Sequence, residues 1–178
     1  MIMGSSRTKS RELALQALFY MDMRQNFSTE ALERYCENFA LTETGNITEA
    51  LEALELCSEK FTLSEKMLPF FLELVKGIIP VNSEIDSVIE RFSSNWKVSR
   101  MSCVDRNVLR ISVYEMLFRK DIPPKVSINE AINIGKNFGT EESGAFINGI
   151  LDSIRIALEK NEIGHLPLKR PGLKQTNR

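Results

Sequence analysis

Cysteine, histidine and tryptophan are scarce in this chain, and the first two shortages each remove a class of function. The three cysteines, Cys36, Cys57 and Cys103, are odd in number and far apart, so neither a disulfide framework nor a zinc-binding spacing is present. A reducing, cytoplasmic location is the expectation. The single histidine, His165, lies in a polar C-terminal stretch and reads as a surface residue, not as a general base or metal ligand. No run approaches the roughly 18 consecutive apolar residues that cross a bilayer. Near the N-terminus, Arg7, Lys9 and Arg11 stand where a secretory leader would continue apolar, so no membrane association is expected. Nine glycines and six prolines, without strand-like alternation, are too few for a β-sandwich. Gly-x-Ser-x-Gly, Walker and dinucleotide loops are missing as well. No catalytic residue, metal ligand or cofactor is assigned, and an enzyme is not expected.

What is present is apolar residues at helical spacing. They make up 43% of 178 residues, enough for a real core. Leu13, Ala14, Ala17, Leu18 and Met21 form one stripe and predict a first helix over about residues 9–25. Ser28 or Thr29 starts a second, bearing Leu32, Tyr35, Cys36 and Phe39. The Glu-rich stretch Thr48–Lys60 is a weaker helix. Thr62 with Glu65 makes a capping box ahead of Leu68, Phe71, Leu72 and Val75. Pro80 then punctuates the chain, and Asn82 caps a run through Ile85, Val88, Ile89 and Phe92. Ser102 with Asp105 opens a helix bearing Val108, Leu109, Ile111, Val113, Met116 and Leu117. Pro123 and Pro124 sit in a rigid extended connector, Asp121–Lys125. The expected architecture is all-α, a single domain over residues 1–162 with helical halves at about 1–80 and 81–162. A basic, flexible tail, 163–178, follows.

The stretch Ser127–Leu151 carries the most specific pattern. Ser127 and Glu130 form a capping box, with Val126 and Ala131 as a small staple. Ile128, Ala131, Ile132, Gly135 and Phe138 recur at helical spacing, and Gly139 is placed to stop that helix. Thr140 caps the next one, with Glu141 and Glu142 against its positive end. Asn129, Asn133 and Lys136 occupy the opposite face of the first helix, and burial of apolar residues gives no reason for them. Asn148 is expected to satisfy backbone groups between the helices. Gly135 and Gly149 cost helix propensity and are expected to permit close packing.

Charge is segregated despite a net of only −1. Residues 28–65 hold nine Glu against Arg34 and Lys60. From Arg91 to Lys136 nine basic residues face four acids, Asp105, Glu115, Asp121 and Glu130. Such a chain can present a basic face to a polyanion.

Several ordered motifs bear a family resemblance. Arg7-Thr-Lys9-Ser-Arg11-Glu-Leu-Ala-Leu-Gln16-Ala-Leu18-Phe19 is similar to an Arg-rich entry into a helix that ends Gln-Ala-Leu-Tyr. Asp105-Arg-Asn-Val-Leu109-Arg110-Ile-Ser-Val-Tyr114-Glu115 follows. Then come Ile122-Pro-Pro-Lys-Val126, Ile128-Asn-Glu-Ala131, Lys136-Asn-Phe-Gly139 and Phe146-Ile-Asn-Gly-Ile-Leu-Asp152. In this order and spacing the chain resembles the NusB family of bacterial transcription antitermination factors, strongly over residues 7–25 and 103–154. Two departures stand out. Thr8 and Ser10 interrupt the basic cluster, and Phe19 stands where tyrosine is frequent.

The resemblance implies about seven helices in two helical subdomains, RNA binding and no cofactor. It implies binding to the boxA element of ribosomal RNA leader transcripts together with NusE, a small-subunit ribosomal protein. The complex would join other Nus factors on RNA polymerase. The RNA-facing positions it implies are Arg7, Lys9, Arg11, Gln16, Phe19, Lys136, Glu142, Ser143 and Phe146. Cations meet phosphates and flat rings stack on bases. Phe146 either stacks on a base or belongs to the apolar stripe of Ile147, Ile150, Leu151 and Ile154. Asp105 and Arg106 are the implied NusE contacts, although Asp105 also completes the Ser102 cap. Two other readings share these motifs: an RNA-binding module like that of ribosomal RNA cytosine methyltransferases, and a helical self-association module forming a homodimer.

Overall fold

Helical periodicity becomes seven α-helices in the computed structural model, which describes residues 6–40, 68–94 and 96–163. They are α1 (Ser6–Met23), α2 (Thr29–Tyr35), α3 (Leu68–Ile78), α4 (Asn82–Phe92), α5 (Cys103–Phe118), α6 (Pro124–Phe138) and α7 (Ser143–Glu159). No strand occurs among the described residues, in keeping with an all-α chain. The helix expected over Thr48–Lys60, the Thr62–Glu65 capping box and the tail beyond Ile163 lie outside the described residues. The chain divides into two compact units, Met1–Ile79 and Pro80–Arg178.

In the first unit α1 packs on α2 and α3. Ala14, Ala17, Leu18 and Met21 are fully enclosed, as are Leu74, Val75 and Ile78. Each enclosed large side chain contributes roughly 1.5–3 kcal/mol from burial. Helix α1 begins at Ser6, earlier than apolar spacing predicts, because no proline or glycine interrupts its first turn. The Ser10 hydroxyl donates back to the Ser6 carbonyl at 3.0 Å. Gln25 ends the helix region with φ of 50°, and the Asn26 amide returns to the Met21 carbonyl. Ser28 caps α2 by accepting from the Ala31 amide at 3.1 Å. One π-helical turn, Cys36–Ala40, follows. Loss of solvent pushes the Tyr35 hydroxyl up to about 12 and the Cys36 thiol up to about 11.

In the second unit α5 packs against α4, α6 and α7, and α6 lies along α7. Ile85, Val88, Ile89, Leu109, Val113, Ile147, Leu151 and Ile154 form its core. Buried polar groups tie the helices together. Arg110 grips both oxygens of Asp86 at 2.8 Å, joining α5 to α4, and donates to the Asn107 side-chain carbonyl at 2.9 Å. Glu115, fully enclosed, accepts from the Ser127 hydroxyl at 2.6 Å, joining α5 to α6.

That last bond corrects the expected start of α6. The helix begins at Pro124, not Ser127. Proline suits a first helical position because its missing N–H would have had no partner there, so the extended connector stops at Pro123. Ser127 lies inside the first turn, its hydroxyl committed to Glu115, and Val126 is 44% exposed instead of forming a staple. Asn82 is likewise not a cap. The 3-10 turn Ile79–Val81 runs directly into α4, whose N-cap is Val81 without a side-chain bond.

Candidate functional site

Four of the residues expected at RNA are exposed along α1, Lys9, Gln16 and Phe19 on one side and Arg7 about 160° round the helix from Lys9. Phe19 is 39% exposed. Lys9 reaches Glu12 at 2.7 Å, and Gln16 accepts from the Tyr35 hydroxyl at 3.3 Å. The fifth, Arg11, is placed differently: only 3% of it is exposed. Its guanidinium lies 5.3 Å from the centroid of the Phe70 ring, and that of Arg7 lies 5.2 Å from the same centroid. Phe70, on α3, thus anchors both cations, an attraction worth about 0.5–1 kcal/mol at exposed sites and more where water is excluded.

The second unit holds a cavity of about 240 Å³. Its outer wall is Trp96, delivered by the turn after α4. Ser94 takes a left-handed φ of 48°. The Ser93 hydroxyl donates to the Trp96 carbonyl at 2.6 Å, and the Trp96 amide returns to the Ser93 carbonyl at 3.1 Å. Glu90 fixes the far side of the turn. Its carboxylate accepts from the Lys97 ammonium at 3.1 Å and the Val98 amide at 3.0 Å. Those two bonds, the ammonium first, hold Glu90 below the usual carboxylate range. The Trp96 ring, 54% exposed, meets Phe146 edge-on with centroids 6.1 Å apart.

Asp105 and the start of α7 complete the lining. Ser102 caps α5 by accepting from the Asp105 amide at 3.0 Å, as its sequence position predicts. Asp105 itself is 8% exposed, and its Oδ1 has no hydrogen-bond donor. Arg106 donates to the Met101 carbonyl at 2.9 Å. Thr140 does not cap α7. Its amide donates to the Ser143 hydroxyl at 2.9 Å, so the cap runs in reverse and Ser143 is 1% exposed. Glu142 is exposed at the cavity. Lys136 is exposed on α6, its stem against Gly144, where an added Cβ would lie 3.0 Å from Lys136 Cγ and Cε.

The cavity brings Asp105 together with Glu142, Ser143 and Phe146, while Arg106 and Lys136 do not line it. Trp96 and Arg100 line it too, and sequence reasoning passed over both. A lone tryptophan between Asn95 and Lys97, in a polar turn between two helices, was the available signal. Asn148 is exposed and bridges no helices, and Gly149 faces open space instead of a packed neighbour. Among the described residues no group of three or more His, Cys, Asp or Glu is placed to hold a metal ion. None of their helices is long and apolar enough to cross a membrane.

An all-helical chain with exposed cations and an exposed ring along α1 in one unit, and an aromatic-walled cavity in the other, defines a macromolecule-binding protein. Residues 8–155 match the NusB family, and the chain belongs to that family. A transcription antitermination protein NusB from Desulfatibacillum aliphaticivorans is 49% identical over 156 residues, 88% of this chain and 94% of the relative. Its counterpart from Desulforapulum autotrophicum is 48% identical over 150 residues, 84% and 91% of the two chains. The structure of T. maritima NusB is similar with a TM-score of 0.62 and 38% identity, covering 93% of this chain and 96% of that one. NusB solved with NusE and dsRNA shares the fold at a TM-score of 0.64 and 24% identity, over 87% of this chain and 99% of that one.

Proposed function

We propose that this chain is a cytoplasmic, non-enzymatic transcription antitermination factor that works without a cofactor. It binds boxA RNA of ribosomal RNA leader transcripts together with NusE, within a Nus-factor assembly on RNA polymerase. The observation that carries this reading is near-full-length likeness to transcription antitermination proteins, at 48–49% identity. The geometry supports it. Arg7 and Lys9, both exposed on α1, meet phosphates, with the buried Arg11 one turn from Arg7 over the same Phe70 ring. Gln16 reads a base edge and Phe19 offers a ring for stacking. In the second unit Lys136 adds a cation, and Glu142, Ser143 and Phe146 complete the RNA-facing set. Asp105 serves NusE, with Arg106 bracing the loop before α5 through the Met101 carbonyl.

Electrophoretic titration of boxA RNA and a scrambled sequence, each with and without NusE, tests the reading. Preference for boxA that sharpens when NusE is added is expected. Equal binding to both RNAs at every salt concentration would remove specific recognition.

A further inference from the structure

We infer that Phe70 is a positioning residue for RNA, whose ring orders the Arg7 guanidinium before a phosphate arrives. This rests on the proposed reading that Arg7 meets RNA. Phe70 stands in the first turn of α3 and is 7% exposed. Apolar volume at that place could come from any aliphatic side chain. What an aliphatic side chain lacks is the negative face of a π-system, and two cations are placed against that face. The Arg7 guanidinium lies over the ring 5.2 Å from its centroid, and that of Arg11 at 5.3 Å. Both fall within the roughly 6 Å over which a cation is attracted to a ring.

The two arginines stand four residues apart on α1, where like charges are neighbours and repel. A shared ring opposes that splaying. Arg11, 3% exposed, takes the enclosed side, and Arg7 is left at the surface. A guanidinium on a ring engages through its face, while its N–H edge still points outward and donates in the plane. Phe70 and a phosphate oxygen can therefore hold Arg7 at the same time. Arginine has many rotamers, and ordering one such side chain on association weakens binding by roughly two- to tenfold. The ring removes part of that cost in advance. Lys9 is held differently, by an ion pair with Glu12 at 2.7 Å, so Phe70 is expected to act on RNA through Arg7 alone.

The test replaces Phe70, in the full chain, by phenylalanine carrying one, two or three ring fluorines. Shape is nearly kept while charge is withdrawn from the ring face. Electrophoretic titration of boxA RNA with NusE present is expected to show affinity falling stepwise, by roughly two- to tenfold over the series. The salt slope is expected to hold, because Arg7 still neutralises its phosphate. In Arg7→Ala the slope flattens by about 0.7, and fluorination no longer changes affinity. In Lys9→Ala the stepwise fall persists. Circular dichroism melting confirms that each variant is folded at the temperature of the titration. A purely structural phenylalanine would not follow ring charge, nor lose its effect on RNA in Arg7→Ala alone. If Arg7→Ala weakens binding but fluorination does not, the inference is overturned and Arg7 stays at the RNA. A stepwise fall that survives Arg7→Ala also overturns it, because Phe70 then acts through Arg11 or the fold. If Arg7→Ala changes neither affinity nor slope, Arg7 leaves the RNA-facing set and the inference falls with it.

Discussion

Arg110 is almost enclosed, with 5% of its side chain exposed, and Asp86 opposite it keeps 25%. Replacing Asp86 by Ala strands a buried guanidinium, a change that typically costs about 3–5 kcal/mol. Because Asp86 is partly wet, the lower end of that range is expected, read as a shift in the urea midpoint at constant slope. Glu90 gives a prediction in pH. Its carboxyl is held below the ordinary 4.5 by the Lys97 ammonium and then the Val98 amide. A depressed folded-state pKa stabilises the chain above pH 4.5 and loses that contribution as pH falls through the folded value. Glu90→Gln is therefore expected to narrow the stability gap to the parent chain steadily below pH 4.5, in denaturation measured across acid pH. A gap that stays constant through acid pH would sink the assignment. At this scale the sequence was legible where an interaction is local. Ser102 caps the amide three residues on, and the spacing alone announces it. Ser127 shows the opposite case, since its hydroxyl goes to Glu115 on another helix, twelve residues back.

Helices α6 and α7 contain two glycines with opposite demands. At Gly139, which ends α6, an added Cβ would meet the Ser143 hydroxyl and come within 2.7 Å of the Gly135 carbonyl and 2.8 Å of Ser143 Cβ. Neither the backbone oxygen nor the buried serine can retreat, so Gly139→Ala is expected to cost about 1–3 kcal/mol by overpacking. Gly149, inside α7, has open space where a Cβ would go. There Gly149→Ala should gain nearly 1 kcal/mol of helix propensity, or about 2–4 °C in melting temperature for a chain of this size. Thermal scans of the two variants check both signs at once. Periodicity made the existence of these helices plain, and Gly139 as a terminator could be read directly. Pro124 as a helix start could not, because two adjacent prolines read equally well as a stretched connector. The aromatic wall of the cavity was also hidden, since Trp96 and Phe146 are fifty residues apart and only the fold of the second unit joins them.

For the whole molecule, a net charge of −1 conceals the distribution that matters for a polyanion. Cations near the N-terminus were legible as candidates, but their division of labour was not, because exposure depends on how α1 packs. Arg7 and Lys9 face solvent and Arg11 does not. The three therefore separate under salt titration. Binding to single-stranded RNA releases counterions with a slope of about −0.7 in log K against log salt for each neutralised phosphate. If Arg7 and Lys9 each meet one phosphate, replacing both by Ala flattens the slope by about 1.4 and weakens boxA binding. Arg11→Ala should act through a different quantity. It removes a guanidinium packed on Phe70, so the melting temperature falls while the salt slope of the folded protein holds. A slope that flattens equally for Arg11→Ala would place Arg11 at the phosphates, and would require α1 to release it from Phe70 when RNA binds.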